Sequence, residues 1–333
     1  MAQPTPTVSV VIPVYNDGRH LRRAVNSVIV QTFPKWELLI VDDGSTDDTL
    51  AVAHELAAQD ERIRVIAADH GGAARARNIG MRHARGEWIA VLDSDDYAIP
   101  ERLERQLAFA AAHPSAGCIG AWAWTVSAAG RELDMWRSGP QTVEEFRRAR
   151  DAGEFIYFIH STWLMRRDLL ERVGGYPEDH LLGEDLALLT VRLAPVTDLL
   201  VDPQPLVYRE INPNSLTRRG SRPVVGAGEV VMLNVHRRQQ GLPELSYAEA
   251  SAQLLTEAGW WGRLRYYRHE HGLRLMRLGN AELADGRLGG LFPLLGSAIL
   301  CPEWAPRVWY WVKRHVRERW TGRGGSTRGS SRL

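Results

Sequence analysis

The chain reads as an α/β protein built on a mostly parallel sheet with helices on both faces. Three observations predict this. Short β-rich runs alternate with helical patterns through the first hundred residues, the strand runs are apolar almost throughout, and acids gather just behind the strand ends. Such alternation makes βαβ units, and strands covered on both faces lose the every-second-residue polarity of a half-exposed sheet. Ligands of open sheets bind beyond the carboxyl ends of the strands, so the acids mark the end where a site is expected.

Taken in order, Val8–Ile12 is the first strand and Leu21–Val30 the first helix. Glu37–Val41 is followed by Thr49–Ala58, Ile63–Ala67 by Ala73–Ala84, and Trp88–Leu92 by Leu103–Ala112. Just behind those strands stand Tyr15, Asn16 and Asp17, then Asp42 and Asp43, then Asp69 to Gly72, then Asp93 to Asp96. Beyond about Gly117 the rhythm changes. Cys118–Val126 and Phe155–Met165 read as strand-like, a helical segment begins near Glu184, and strands return around Leu199–Arg209. This predicts an α+β extension completing the same domain. From about Arg222 the pattern turns helical and rich in Trp and Arg, and the closing "RGGSTRGSSRL" reads as a flexible tail.

Composition narrows the function classes. Of 333 residues 44% are hydrophobic and 24% charged, enough globular material for one large domain or for one domain with a substantial appendage. A formal net charge of +1 supplies no field that would gather nucleic acid, so none is expected as a partner. The stretch Glu303 to Leu333 nevertheless holds eight Lys or Arg against two Glu. Lys35 and Lys313 are the sole lysines, which removes most candidates for lysine chemistry. Cys118 and Cys301 fit neither a disulfide framework nor a zinc pattern and point to a reducing compartment. No signal peptide is expected, and the longest apolar candidate, Leu288–Cys301, is too short to span a bilayer. A cytoplasmic location follows as the expectation.

Four motifs carry chemistry. "VDDGSTDDT", residues 41 to 49, ends a strand on two acids and turns on Gly44. It is either a tight capping turn or a place where a carboxylate accepts the ring N–H of a base. "GGAARARNIG", residues 71 to 80, sets two glycines before a helix and then Arg75, Arg77 and Asn78, a set of donors suited to a diphosphate or a base edge. "VLDSDDYAIP", residues 91 to 100, crowds three acids that repel one another unless a cation offsets them. In extended backbone Asp93 and Asp95 face one ligand while Ser94 points elsewhere, and hard oxygen donors there fit Mg²⁺ or Mn²⁺; a solvated acidic loop is the equal alternative. Asp96 is assigned to the cap of the next helix. "LLGEDLALLTVRLA", residues 181 to 194, puts Glu184 and Asp185 in a first helical turn. Acids there complement the helix dipole, and an ionised one beside a cleft can act as general base. His160 reads as structural and Trp163 as core.

In this order and spacing, "VSVVIPVYND", "QTFPKWELLIVDDGSTDDT", "GGAARARNIG", "GEWIAVLDSDD" and "VGGYPEDHLLGEDLALLTVRLA" closely resemble the family 2 glycosyltransferases, inverting GT-A-fold enzymes that use nucleotide sugars. The resemblance covers residues 7 to about 210. It implies that Pro13, Tyr15 and Asp43 line a nucleoside pocket with Asp42 nearby, and that Arg77 lies beside base and phosphates. It further implies that Asp93 meets the ribose or the metal's water shell, with Ser94 in the nucleotide-binding set. Asp95 would hold the Mg²⁺ or Mn²⁺ that bridges the diphosphate, and Asp185, supported by Glu184, would deprotonate the acceptor hydroxyl. A UDP-sugar donor and a glycan or lipid-linked acceptor are the implied partners. The implied organisation is a catalytic domain over 1–220, split into a nucleotide-sugar half (about 7–115) and an acceptor half (116–220), a helical region over 221–320 and a tail over 321–333. "YREINPNSLTRR" looks like the segment that closes over the donor, bringing Asn214, Ser215, Thr217 and Arg218 to the diphosphate.

One departure from the family matters. Processive members carry Gln or Arg, two residues, then Arg-Trp after the paired acids, together with membrane spans, and "QLLTEAGWWGRLRYYRHE" has no such match. Addition of a single sugar is therefore expected. A phosphatase with an aspartyl nucleophile would need Thr or Val two positions beyond its second acid, and GxxxxGK[ST] and GxGxxG are absent. A nucleotidyltransferase would open on a Gly-rich loop where this chain has "PVYNDG". The remaining competitor is a non-catalytic nucleotide-sugar-binding scaffold, against which Asp93, Asp95 and Asp185 all stand. Finally, "LFPLLGSAILCPEWAPRVWYWVKRHVRERW" mixes apolar and basic residues at helical spacing, suiting either a membrane interface on the inner face of the plasma membrane or packing against the catalytic domain.

Overall fold

The computed structural model describes residues 5–127, 130–180, 183–210, 226–259, 275, 279, 289 and 291–300. The apolar runs become the centre of its sheet because both their faces are covered. β1 (Val8–Val14) and β2 (Trp36–Asp42) are buried at every position and pair in parallel, Val8 opposite Trp36. β3 (Ile63–Ala67) lies parallel on the far side of β2, and β4 (Trp88–Val91) parallel on the far side of β1. The crossovers are α1 (Gly18–Ile29), α2 (Thr49–Ala57) and α3 (Ala73–His83). Gly80 lets α3 press against the sheet, since a Cβ there would stand 2.5 Å from Val11 Cγ1.

The second half adds β5 (Tyr97–Ala98), α4 (Arg102–Ala112), β6 (Ala116–Val126), β7 (Glu132–Trp136), α5 (Val143–Asp151), β8 (Leu164–Arg166), α6 (Arg167–Val173) and β9 (Asp198–Glu210). The sheet runs β3-β2-β1-β4-β8-β6-β9-β5, with β7 on β6. Its first four strands are parallel, whereas β8 is antiparallel to both neighbours. The predicted α/β class, helices around a largely parallel sheet, is the architecture found. β5, β7 and α5 carried too short or too polar a pattern to be read ahead of the structure.

Three local expectations change. Phe155–Met165 is not one strand. Its first part leaves the sheet, turns through a 3-10 segment (His160–Thr162), and only Leu164–Arg166 pairs, because Thr162 Oγ1 donates to Ile159 O and accepts the N–H of Ala121. Asp96 does not cap α4, which starts at Arg102 behind Glu101; it is 3% exposed and bonded elsewhere. The helix after Gly183 is a single α turn, α7 (Glu184–Leu186), running into a π-helix over Ala187–Leu193. Such wide turns are rare and often mark functional sites. Trp163 is core, at 0% exposure, as read.

Contacts divide the chain into two compact units, 1–212 with 227–251, and 213–226 with 252–333. α8 (Ala227–Gln239) thus belongs to the first unit, packing Val231 against Ala187 and Val191 of the π-helix. In the second unit the described residues include the helical stretch 252–259 and α9 (Leu291–Leu300). Asn214, Ser215, Thr217 and Arg218, and the segment from 301 onward, lie outside the described residues. No helix among the described residues is long and apolar enough to cross a membrane.

Candidate active site

β1 is flanked by β2 and β4, so the residues that follow these three strands converge at one edge of the sheet. Two groups of side chains result. At the β1–β2 end, Asp43 accepts the N–H of Gly71 on Oδ1 and of Gly72 on Oδ2, each at 2.9 Å, with His70 Nδ1 2.9 Å from Oδ2. This carboxylate therefore anchors the loop ahead of α3. Gly44, at φ 72°, permits the approach, because a Cβ would stand 2.7 Å from His70 N. Asp42 Oδ2 accepts the N–H of Ser45 at 3.0 Å, while its Oδ1 is buried with no partner among the described residues. Asn16 takes a positive φ of 50° and laces β1 to the next turn, accepting Thr46 N–H at 2.8 Å. Pro13 is buried in β1 opposite Val41. Tyr15, 37% exposed, stacks on His70 with centroids 4.2 Å apart.

At the β4 end, α3 reaches across with one buried cation. Arg77, 6% exposed, donates from Nη2 to Asp93 Oδ1 at 2.9 Å and from Nη1 to Glu184 Oε1 at 2.8 Å. Burial opposes this charge, but Asp93 and Glu184 outweigh it and hold the guanidinium above its ordinary pKa. Its Nε is left without a partner among the described residues. Asp93 is held below the usual carboxylate range: burial raises it, and Arg77 and then His160 more than offset that. His160 Nδ1 lies 3.7 Å from Asp93, and its Nε2 meets the Tyr176 hydroxyl at 2.7 Å.

Asp95 lacks such relief. Burial, then the charges of Asp93 and Asp17, push it up to about 6, with Arg209 acting against them. Asp96 is raised well above its ordinary value by burial and by Asp95 and Asp93; Ser161 Oγ and the Glu210 N–H (3.1 Å) donate to it, tying β9 to the 3-10 turn. Ser94 Oγ donates to Asp17 Oδ2 at 2.8 Å, so its hydroxyl braces the turn. Asp185 is raised by burial first and Glu184 second, although its Oδ1 accepts the Leu186 N–H at 2.8 Å. Asn78 is spent on the second half, its amide bonded to Tyr176 O at 2.9 Å and its Oδ1 to Tyr176 N–H at 2.9 Å.

The geometry thus joins Arg77, Asp93 and Glu184 directly and keeps Asp95 and Asp185 in the same field. It turns Asp43 and Asn78 inward, towards backbone. Tyr176 and Arg209 were not anticipated, and His160, read from the sequence as structural, stands 3.7 Å from Asp93. A histidine followed by two hydroxyl residues, directly behind the aromatic run from Phe155 to Phe158, is the one signal that could have flagged His160. Among the described residues no three His, Cys, Asp or Glu side chains form a complete metal cage. The donors left over, Asp95 and Asp93 Oδ2, nonetheless suit a hard divalent ion, which binds one or two carboxylates and fills its other positions with phosphate oxygens and water.

Comparison with known proteins identifies the family. Residues 9–174 match the family described as Glycosyl transferase family 2, and the chain belongs to that family. It is 32% identical over 230 residues to the uncharacterised glycosyltransferase EpsJ of Bacillus subtilis, a stretch covering 66% of this chain and 65% of EpsJ. Crystallised TarS 1-349 of S. aureus, in complex with UDP-GlcNAc, superposes with a TM-score of 0.59 at 21% identity, covering 97% of this chain and 93% of that one. The mannosyltransferase PcManGT of Pyrobaculum calidifontis, in complex with GDP-Man and Mn²⁺, gives 0.52 at 19% identity over 95% and 88%. These structural likenesses establish a shared GT-A-type fold.

Proposed function

We propose that this chain transfers one sugar, with inversion, from a nucleoside diphosphate sugar to an acceptor hydroxyl in glycan assembly. The observation that carries the reading is the Arg77 bridge between Asp93 and Glu184, which sets the donor-side acids and the acceptor-side acids around one buried cation. The Tyr15–His70 stack offers an aromatic surface for a base, and the neighbouring Asp42 and Asp43 close the turn behind it. A UDP-sugar is the donor proposed, as in the TarS complex.

Asp95 and Asp93 would hold Mg²⁺ or Mn²⁺, which when bound offsets charge developing on the leaving diphosphate. Asp185 takes the acceptor proton. Burial and Glu184 raise its pKa, which makes it a stronger base than an exposed aspartate, and the Leu186 N–H fixes its orientation. Direct displacement by the activated hydroxyl inverts the anomeric carbon. The test is a donor screen with Mg²⁺ or Mn²⁺, reading nucleoside diphosphate release. Wild type should turn over, Asp95→Ala and Asp185→Ala should not, and EDTA should abolish release. Full acceptor-dependent turnover by Asp185→Ala would remove the base assignment, and indifference to EDTA would remove the metal.

The organisation proposed keeps residues 1–220 as the catalytic domain and gives the C-terminal region a peripheral role on the inner membrane face. Phe292, Leu295 and Ile299 support it, exposed by 79%, 52% and 77% at helical spacing on α9, beside the basic segment that follows in sequence. Flotation with anionic liposomes should separate wild type from Phe292→Asp/Ile299→Asp; identical behaviour of the two would discard the membrane role.

A further inference from the structure

An exposed aromatic cluster stands on the segment that leads to His160 and takes no part in the binding roles proposed for the acids. Phe155 and Trp136 are 45% and 41% exposed. Between them Tyr157 is half-buried, its ring stacked on Phe155 (centroids 6.4 Å, planes 25° apart) and edge-on to Trp136 (6.1 Å, 85°). Along this segment alternate residues Ile156 and Phe158 are buried at 4% and 0%, so Phe155 and Tyr157 share the open face. The same segment runs on to His160, 3.7 Å from Asp93, which links the cluster covalently to the acid corner. Across the sheet Trp136 is paired with Ala123, Ala123 with Val207, and Val207 with Ala98. Three strand spacings amount to about 14 Å, roughly the reach of one or two sugar rings.

Tyr157 ties the cluster to the chemistry. Its hydroxyl is engaged by no described residue, and burial together with the charge of Asp185 pushes its pKa up to about 12, so at neutral pH it remains a hydrogen-bond donor. Open aromatic faces, a free phenol and a nearby carboxylate form a surface that matches one chemistry. A pyranose offers a flat face of C–H groups to stack on rings and a rim of hydroxyls for polar partners. Acyclic polyols lack the flat face. We infer that Trp136, Phe155 and Tyr157 form the acceptor subsite, which takes a pyranose ring by its apolar face and turns one of its hydroxyls to Asp185. This rests on the transferase reading above and adds a substrate class: the acceptor ends in a ring sugar.

The test uses the full chain with UDP or GDP present and reads saturation-transfer NMR with methyl glucoside, methyl galactoside and methyl N-acetylglucosaminide, against sorbitol. The ring C–H protons of at least one pyranoside should receive saturation and sorbitol should not. Trp136→Ala and Phe155→Ala, both at exposed positions, should keep the wild-type unfolding midpoint and bind about tenfold more weakly. Val196→Ala, at an exposed apolar residue elsewhere, should bind as wild type does. Equal signals for sorbitol and the pyranosides, or unchanged binding by both aromatic variants, would overturn the subsite. So would wild-type self-association in sedimentation that Trp136→Ala abolishes, since the cluster would then join two copies. Calorimetry with UDP and GDP separates the two failures. Absent nucleotide binding sinks the transferase reading, whereas nucleotide binding without pyranoside preference sinks the subsite alone.

Discussion

The two ends of the sheet bury carboxylates and treat them in opposite ways. At the amino end Glu37, 1% exposed on β2, accepts Ser9 Oγ and the Arg85 N–H at 2.7 Å each, and Arg85 Nε and Arg64 Nη1 at 2.9 and 3.2 Å. Burial would raise its pKa, yet these donors hold it below its ordinary value. At the carboxyl end Arg77 and His160 hold Asp93 down despite its burial, but Asp95, Asp96 and Asp185 are all raised. Arg77 is spent on Asp93 and Glu184, and Arg209 with the buried Arg102 does not balance the remaining acids. Glu37 demonstrates that this fold can satisfy a buried acid completely, and acids left unbalanced at the other end are the pattern that functional sites carry.

The strongest way to sharpen the contrast is Asp185→Asn. Transfer should fall about thousandfold, with an unfolding midpoint no lower than wild type, because a disfavoured buried charge has been removed. Glu37→Ala should do the reverse. It strands Ser9, Arg85 and Arg64 and should cost on the order of 3 kcal/mol in urea titration, while the folded fraction turns over at the wild-type rate. A lost rate without lost stability at Glu37 would break the comparison.

A smaller effect separates the ends by pH. For Asp95 the folded pKa of about 6 lies above the ordinary 3.8, so the unfolded chain binds fewer protons between those values. The stability conferred by its protonation is complete below about pH 4 and lost as pH rises through 6. Asp95→Asn should therefore match wild type at pH 4 and exceed it at pH 8 by on the order of 2 kcal/mol, read from unfolding midpoints. MnCl₂ at pH 8 should raise the wild-type midpoint and leave the variant unmoved. The smallest change expected is Ser94→Ala, which removes one hydrogen bond from Asp17 and should cost about 1 kcal/mol or less.

These contrasts also show why part of the molecule was legible beforehand. The strands from Val8 to Leu92 declared themselves because a doubly covered strand must be apolar throughout, and acids at their ends had nowhere to go but the ligand edge. Arg77, Asp93 and Glu184 could be named from their motifs, but not their union, since the residues joined are up to 107 positions apart. The tasks of Asp43 and Asn78 were hidden for another reason. Both bond to backbone N–H or C=O groups, and every residue type supplies those, so no sequence pattern announces the partner. The turn at His160–Thr162 escaped because the Thr162 hydroxyl, donating to the nearby Ile159 O and accepting the distant Ala121 N–H, overrode a run whose composition favours a strand.

One helix settles how far the halves can be exchanged. Arg77 and Asn78 are consecutive on α3, and each is committed to the second half, one to Glu184 and the other to Tyr176. A chimera that borrows a relative's second half to gain a new acceptor inherits both of these demands. Its graft must arrive with a matching acid and a matching loop, or the host must surrender its own α3, so the unit of exchange is larger than the second half alone.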